Sequence, residues 1–127
     1  YTIRFQNTGT AAAHFVVVRD TLSEKLDPMS IRPGAASHPF SWKMEGNGFV
    51  SFRFDDINLP DSNANEAASH GFVSFKISQK PNLPDGTLIE NRASIYFDYN
   101  GAVQTNTTQH RIGHDFISFD IISSMKR

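Results

Sequence analysis

The sequence predicts an all-β fold, an antiparallel β-sandwich of seven to eight strands, on three observations. Short runs of alternating apolar and polar residues recur at roughly ten-residue spacing, and such alternation places successive side chains on opposite faces of a sheet. Clusters of Gly, Pro, Asn, Asp and Ser separate the runs. No window shows a helical period, and the eleven phenylalanines with their Val, Ile and Thr neighbours suit a pleated, half-buried surface.

The first run is Tyr1 to Asn7, with Tyr1, Ile3 and Phe5 on one face and Thr2, Arg4 and Gln6 on the other. A turn at Asn7-Thr8-Gly9-Thr10 follows, where Gly9 can take a positive φ. His14 to Asp20 is the next strand; Leu22 to Leu26 can form one helical turn, which Pro28 ends. Pro33-Gly34 reads as a connection. Phe40 to Glu45 and Phe49 to Asp55 flank Gly46-Asn47-Gly48, and Asn-Gly between two alternating runs is a strong hairpin signal. Gly71 to Gln79 is followed by a rigid connection, Pro81 to Gly86. The remaining strands are Leu88 to Asp98, Val103 to His110 and Phe116 to Ile122.

With 127 residues the chain is long enough to bury a core without staples. A net charge of -1, and no basic block longer than Lys126-Arg127, argue against nucleic acid and anionic membrane as partners. Cysteine is absent, so disulfides and thiolate metal sites are excluded. No apolar stretch approaches the ~18 residues of a spanning helix, so no membrane insertion is expected. The chain opens in mid-strand and lacks a closing signal, and it reads as a fragment of a larger protein.

The Leu88 strand holds an anomaly. Its inward face is Ile89, Asn91, Ala93, Ile95 and Phe97, so an amide stands in an apolar row. Leaving a buried amide unpaired costs about 1–3 kcal/mol, so Asn91 must find a partner. Asp20 shares a strand face with Val16 and Val18, which predicts a partly buried carboxyl of raised pKa. Each of these polar groups is expected to find a hydrogen-bond partner.

Other candidates are weaker. Asp61-Ser62-Asn63-Ala64-Asn65-Glu66 opens like an EF-hand loop, and oxygen ligands from Asp61, Asn63, Asn65 and Glu66 would suit calcium. The match then fails, with Glu66 at the glycine position and Phe72 where a bidentate glutamate belongs. Asp98, Asn100 and Asn106 cluster near a turn and read as structural. His14, His38, His70, His110 and His114 show no metal-ligand spacing. No nucleophile elbow is present, and no enzyme is expected. Trp42, between Phe40 and Met44, reads as a core anchor.

Several segments in order carry a family resemblance: Tyr1-Thr2-Ile3-Arg4-Phe5-Gln6-Asn7-Thr8-Gly9, Val17 to Leu22, Leu59-Pro60-Asp61-Ser62-Asn63, Ile89-Glu90-Asn91-Arg92-Ala93 and Ile95 to Asn100. The chain resembles the immunoglobulin-like repeat domain of unknown function of large bacterial surface proteins. It is most similar to the Bacteroidota version that often lies just before the sorting domain of the type IX secretion machinery. The resemblance implies an immunoglobulin-like sandwich over residues 1–113 and a final strand or linker, 114–127, toward a downstream domain. In some members of the broader family a lysine near the domain start joins the strand asparagine in an isopeptide bond, assisted by an acid. Asn91 and Asp20 match the last two, but the matching lysine position would precede Tyr1, so no cross-link is expected here; the two are expected to hydrogen-bond to backbone or to one another across the core, as a structural buried polar pair.

The resemblance implies a non-catalytic extracellular spacer or adhesin module of a secreted bacterial protein. Its partners would be neighbouring domains of the same polypeptide and cell-surface glycans or proteins. The alternative is a carbohydrate-binding module appended to a secreted hydrolase, which needs exposed aromatics in line, such as Tyr96, Tyr99 and Trp42.

Overall fold

A computed structural model describes residues 1–46, 48–112 and the backbone of 120–125. In chain order the strands are β1 (Thr2–Asn7), β2 (Val16–Thr21), β3 (Arg32–Ala36), β4 (Ser41–Glu45), β5 (Phe49–Phe54), β6 (His70–Lys76), β7 (Leu88–Asn91), β8 (Ala93–Phe97), β9 (Val103–Gln104), β10 (Thr108–Arg111) and β11 (Asp120–Met125). Among the described residues the helical content is two short 3₁₀ turns, Pro28–Ser30 and Ala67–Ser69.

The alternation read from the sequence dictates the layers. A four-stranded sheet runs β11-β1-β6-β3, a five-stranded sheet runs β4-β5-β2-β8-β9, and β10 pairs with β7. Every pairing is antiparallel except β1 with β11. The inward residues of β1, β2, β5, β6 and β8 form one core, and phenylalanines lock its two sheets together. Phe5 of β1 meets Phe54 of β5 and Phe97 of β8 edge to face, at 5.4 and 6.2 Å between ring centres. Phe75 of β6 stacks on Phe52 of β5 at 5.6 Å. Aromatic pairs in these geometries add about 0.5–1.5 kcal/mol each beyond the area they bury.

The all-β sandwich matches the expectation, but more strands are present because the long runs divide. Leu88 to Asp98 breaks at Arg92: β7 pairs with β10, and β8 pairs with β2 and β9. The alternation continues across the break, so Ile89, Asn91, Ala93, Ile95 and Phe97 all stay buried. Val103 to His110 divides into β9 and β10 for the same reason. Pro33-Gly34, read as a connection, lies in β3, an edge strand whose register shifts between Pro33 and Ala36; an edge tolerates the missing proline N–H.

Two local expectations are corrected. The positive-φ glycines are Gly46 and Gly86, not Gly9. The turn after β1 is instead held by Asn7, whose Oδ1 accepts from Gly9 N while its Nδ2 donates to the carbonyls of Ala11 and Leu59. Trp42, expected in the core, is 42% exposed. It sits opposite Phe52 on the inner face, but β4 is the edge of its sheet and no strand among the described residues lies beyond it. Of the expected strand Phe116 to Ile122, residues 116–119 lie outside the described residues, as does Asn47 of the expected hairpin; β11 continues to Met125.

Gly71 shows how tightly the sheets close. A Cβ there would fall far inside van der Waals contact with Cε2 and Cζ of buried Phe5. Gly71→Ala is therefore expected to lower stability by about 1–3 kcal/mol, the usual range for overpacking. Urea unfolding checks this: the midpoint should fall with the slope unchanged, and an unmoved midpoint would mean that Phe5 has room to turn away.

Candidate functional site

The structure brings Asp20 and Asn91 together. Asp20 is inward on β2 and paired with Ala93, and Asn91 stands two residues before Ala93, so the two are diagonal neighbours on the inner face. Asn91 Nδ2 donates to Asp20 Oδ2 at 2.7 Å, with the residues 0% and 2% exposed. The backbone around them is fixed: Ala93 N donates to Thr105 Oγ1 at 2.8 Å, and Thr105 N donates to Ala93 O at 2.9 Å.

Asp20 Oδ1 and Asn91 Oδ1 are buried with no hydrogen-bond partner among the described residues. A carboxylate only accepts and cannot fill the vacant Asn91 oxygen, whereas a neutral carboxylic acid carries an O–H that can donate. Burial pushes the Asp20 carboxyl up to about 7, overcoming the Asn91 hydrogen bond and the more weakly acting Tyr1 ammonium, which both lower it. Burial also pushes the Tyr1 phenol up to about 12, assisted by the charge on Asp20. Buried together, the two side chains can hold or release a proton between them.

No lysine completes the set among the described residues. Lys25 Nζ donates to Leu88 O at 2.6 Å, and Lys43 pairs with Glu45 at 2.8 Å. Lys76 and Lys80 are exposed.

The four residues singled out for calcium have separate duties. Asp61 is buried, and its Oδ2 accepts from Ala64 N at 3.2 Å. Asn65 Oδ1 accepts from Ala68 N at 3.2 Å, and Glu66 Oε1 bonds His70 Nε2 at 2.8 Å. Asn63 is exposed. Among the described residues no group of three or more His, Asp or Glu side chains converges. His14 bonds Asn58 and His38 bonds Ser37; His114 lies outside the described residues.

Asp98 proves to be a clamp. At φ 54° its Oδ1 accepts from both His14 N (2.7 Å) and Phe15 N (3.0 Å), tying the end of β8 to the entry of β2. An Asp that adopts the left-handed region while gripping two amides is a signal that the sequence carries only as an Asp beside a turn. The aromatics expected in line do not align. Tyr96 pairs with Val17 on the outer face, Trp42 lies on the inner face, and Tyr99 (96% exposed) packs on Phe15 beyond the strand end.

Fold and site thus define an all-β sandwich domain with a sealed polar pair. The chain belongs to the family described as a domain of unknown function (DUF7619), which matches residues 1–111. No curated protein matches it significantly. Among the described residues no helix is long and apolar enough to cross a membrane.

Two outcomes follow from this geometry. Because the Asp20 pKa is higher folded than unfolded, its proton stabilises the fold fully below about 4, and that contribution is lost as pH rises through about 7. Asp20→Asn keeps an oxygen to accept from Asn91 and removes the charge. The variant is expected to gain on the parent progressively between pH 4 and 8, by a few kcal/mol at most, in parallel denaturation curves. A constant difference across that range would show that Asp20 does not bind its proton more tightly when folded. Separately, ~5 mM calcium is expected to leave the thermal midpoint where chelator leaves it, since an ion bound by the native state alone must raise it.

Proposed function

We propose that this domain is a non-catalytic structural and adhesion module, a spacer in a larger extracellular protein. The observation that carries the reading is the parallel pairing of β1 with β11. Thr2 lies opposite Asp120 and Asn7 opposite Met125, so the start of β1 and the end of β11 fall at opposite ends of one ladder, about 20 Å apart. Tension entering at the first and leaving at the second runs along the strands and shears the ladder's rungs together. An antiparallel pair pulled from its adjacent ends instead opens one rung at a time.

The burial of the Asp20 and Asn91 side chains favours the non-catalytic reading. The lack of an aligned aromatic row favours the spacer over a flat sugar-stacking platform. The placement in a secreted Bacteroidota surface protein, with neighbouring domains as the first partners and a type IX sorting domain downstream, rests on the resemblance of the strand motifs and is the proposal's finer part.

Single-molecule pulling tests the mechanical core of this reading. Force applied through the start of β1 and the end of β11 should unfold the domain in one step. That force should be several times larger than when the chain is held at Gln6 and His70, paired on the antiparallel strands β1 and β6. Equal forces in the two directions would remove the mechanical argument.

A further inference from the structure

The outer face of the five-stranded sheet carries a cleft of about 530 Å³ at the place where strand run 88–97 changes sheets. Its floor follows from the register. Ser94 lies between Arg19 of β2 and Gln104 of β9, and Thr21 and Arg92 stand one rung beyond the Asp20–Ala93 pair. The β8–β9 ladder stops there, Thr105 turns its hydroxyl to Ala93 N, and pairing resumes at Thr108 opposite Asn91. Thr107, in the gap, Glu90 and Asn91 complete the lining.

The two cations of the cleft differ in what holds them. Arg19 is held: its guanidinium lies 5.1 Å from the centre of the Phe49 ring and 3.5 Å from Glu45. Arg92 is exposed and makes no hydrogen bond or ion pair with the described residues. The two are diagonal neighbours on the outer face, with Cα atoms about 7–8 Å apart. A free guanidinium fork matches a carboxylate bidentately. Around it Thr21, Ser94, Thr107 and Gln104 offer hydroxyls and an amide, which both donate and accept. Glu90 accepts a hydroxyl proton and disfavours a compact dianion such as phosphate, which concentrates two charges where a hexuronate carboxylate brings one. No aromatic ring lines the cleft, so a neutral sugar has nothing to stack on.

We propose that this cleft binds a carboxylate-bearing saccharide, with Arg92 gripping a hexuronate carboxylate and the hydroxyl and amide side chains reading the sugar hydroxyls. The cleft has the volume of a small-ligand site. The inference goes beyond the structural-module reading and does not depend on it, since a spacer needs no such ligand.

Titration of the ¹⁵N-labelled chain with digalacturonate, followed by amide shifts, tests it. The expected result is saturable movement of amides around Arg92, Ser94 and Gln104, with Kd on the order of 1 mM. Arg92→Gln should weaken binding about tenfold or more, the effect of losing a charged hydrogen bond, with the thermal midpoint unchanged. Lys43→Gln, a charge change elsewhere on the same face, should leave binding intact. The neutral disaccharide digalactose should produce no saturable shifts, and inorganic phosphate should bind more weakly than the uronate. The proposal is overturned by absence of saturation with digalacturonate, by equal binding of the neutral sugar, or by equal loss in Lys43→Gln. Phosphate binding as tightly as the uronate would also overturn it, because the cleft would then hold an adventitious ion only.

Discussion

The change of sheet at Arg92 is the constraint on which the rest of this structure depends. One continuous alternating run serves two partners: its first half pairs with β10 and its second with β2 and β9. Because the period-2 pattern is not interrupted, the break moves hydrogen-bond partners without turning any side chain to the other face. Asn91 therefore ends β7 while still facing inward, where it reaches Asp20 diagonally across the sheet. On the opposite face the same break parts the ladders and leaves a cleft with Arg92 at its mouth. Inside and outside, the two polar sites of the domain are products of one backbone event.

The sheets around this hinge are closed by aromatic contact and guarded at their edges. Phe5 reaches two strands of the facing sheet, and its ring occupies the space that Gly71 leaves by having no Cβ. At the edges, β3 carries Pro33 and a register shift, and β4 carries Lys43 paired with Glu45. Charges, proline and irregular register all discourage pairing with another chain. The edge position of β4 also explains Trp42: its register points inward, yet among the described residues only β5 flanks it and its other side is open.

Much of the fold was legible because alternation is a local property. The faces of β1, β2, β5 and β8 follow directly from which residues alternate, and so did the buried positions of Asp20 and Asn91. Where a run changes partner was not legible, because Leu88 to Asp98 reads the same whether one sheet or two receive it. Strand β3 was hidden by Pro33-Gly34, whose local preference is for a turn; position at a sheet edge overrode it. The Asp61 loop was ambiguous in the sequence. Its spacing suggested a shared ligand, but Asp61 and Asn65 each cap nearby backbone N–H groups, a local duty that the same residue types perform equally well. Arg92 was named only as part of a motif, since nothing in the sequence distinguishes an unpaired arginine from a paired one.

A buried acid and amide are a poor choice for stability alone, because apolar residues of similar volume often do as well or better. Register gives them a different value when their neighbours are considered. A one-residue slip of β2 or of the Leu88 run would exchange the faces of every residue in it. Asp20 and Asn91 would go out to water at little cost, so the pair by itself does not oppose the slip. Among the residues that would come in are Arg19 and Arg92, and an unpaired guanidinium in an apolar core is prohibitively expensive. Alternating Asp20 with Arg19 and Asn91 with Arg92 thus pins the register from the outer face, while the inner pair joins the two strands once that register is reached. The arginines that a slip would drive inward are the same two that line the cleft, so one alternation sets both the register of the strands and the charge of the cleft.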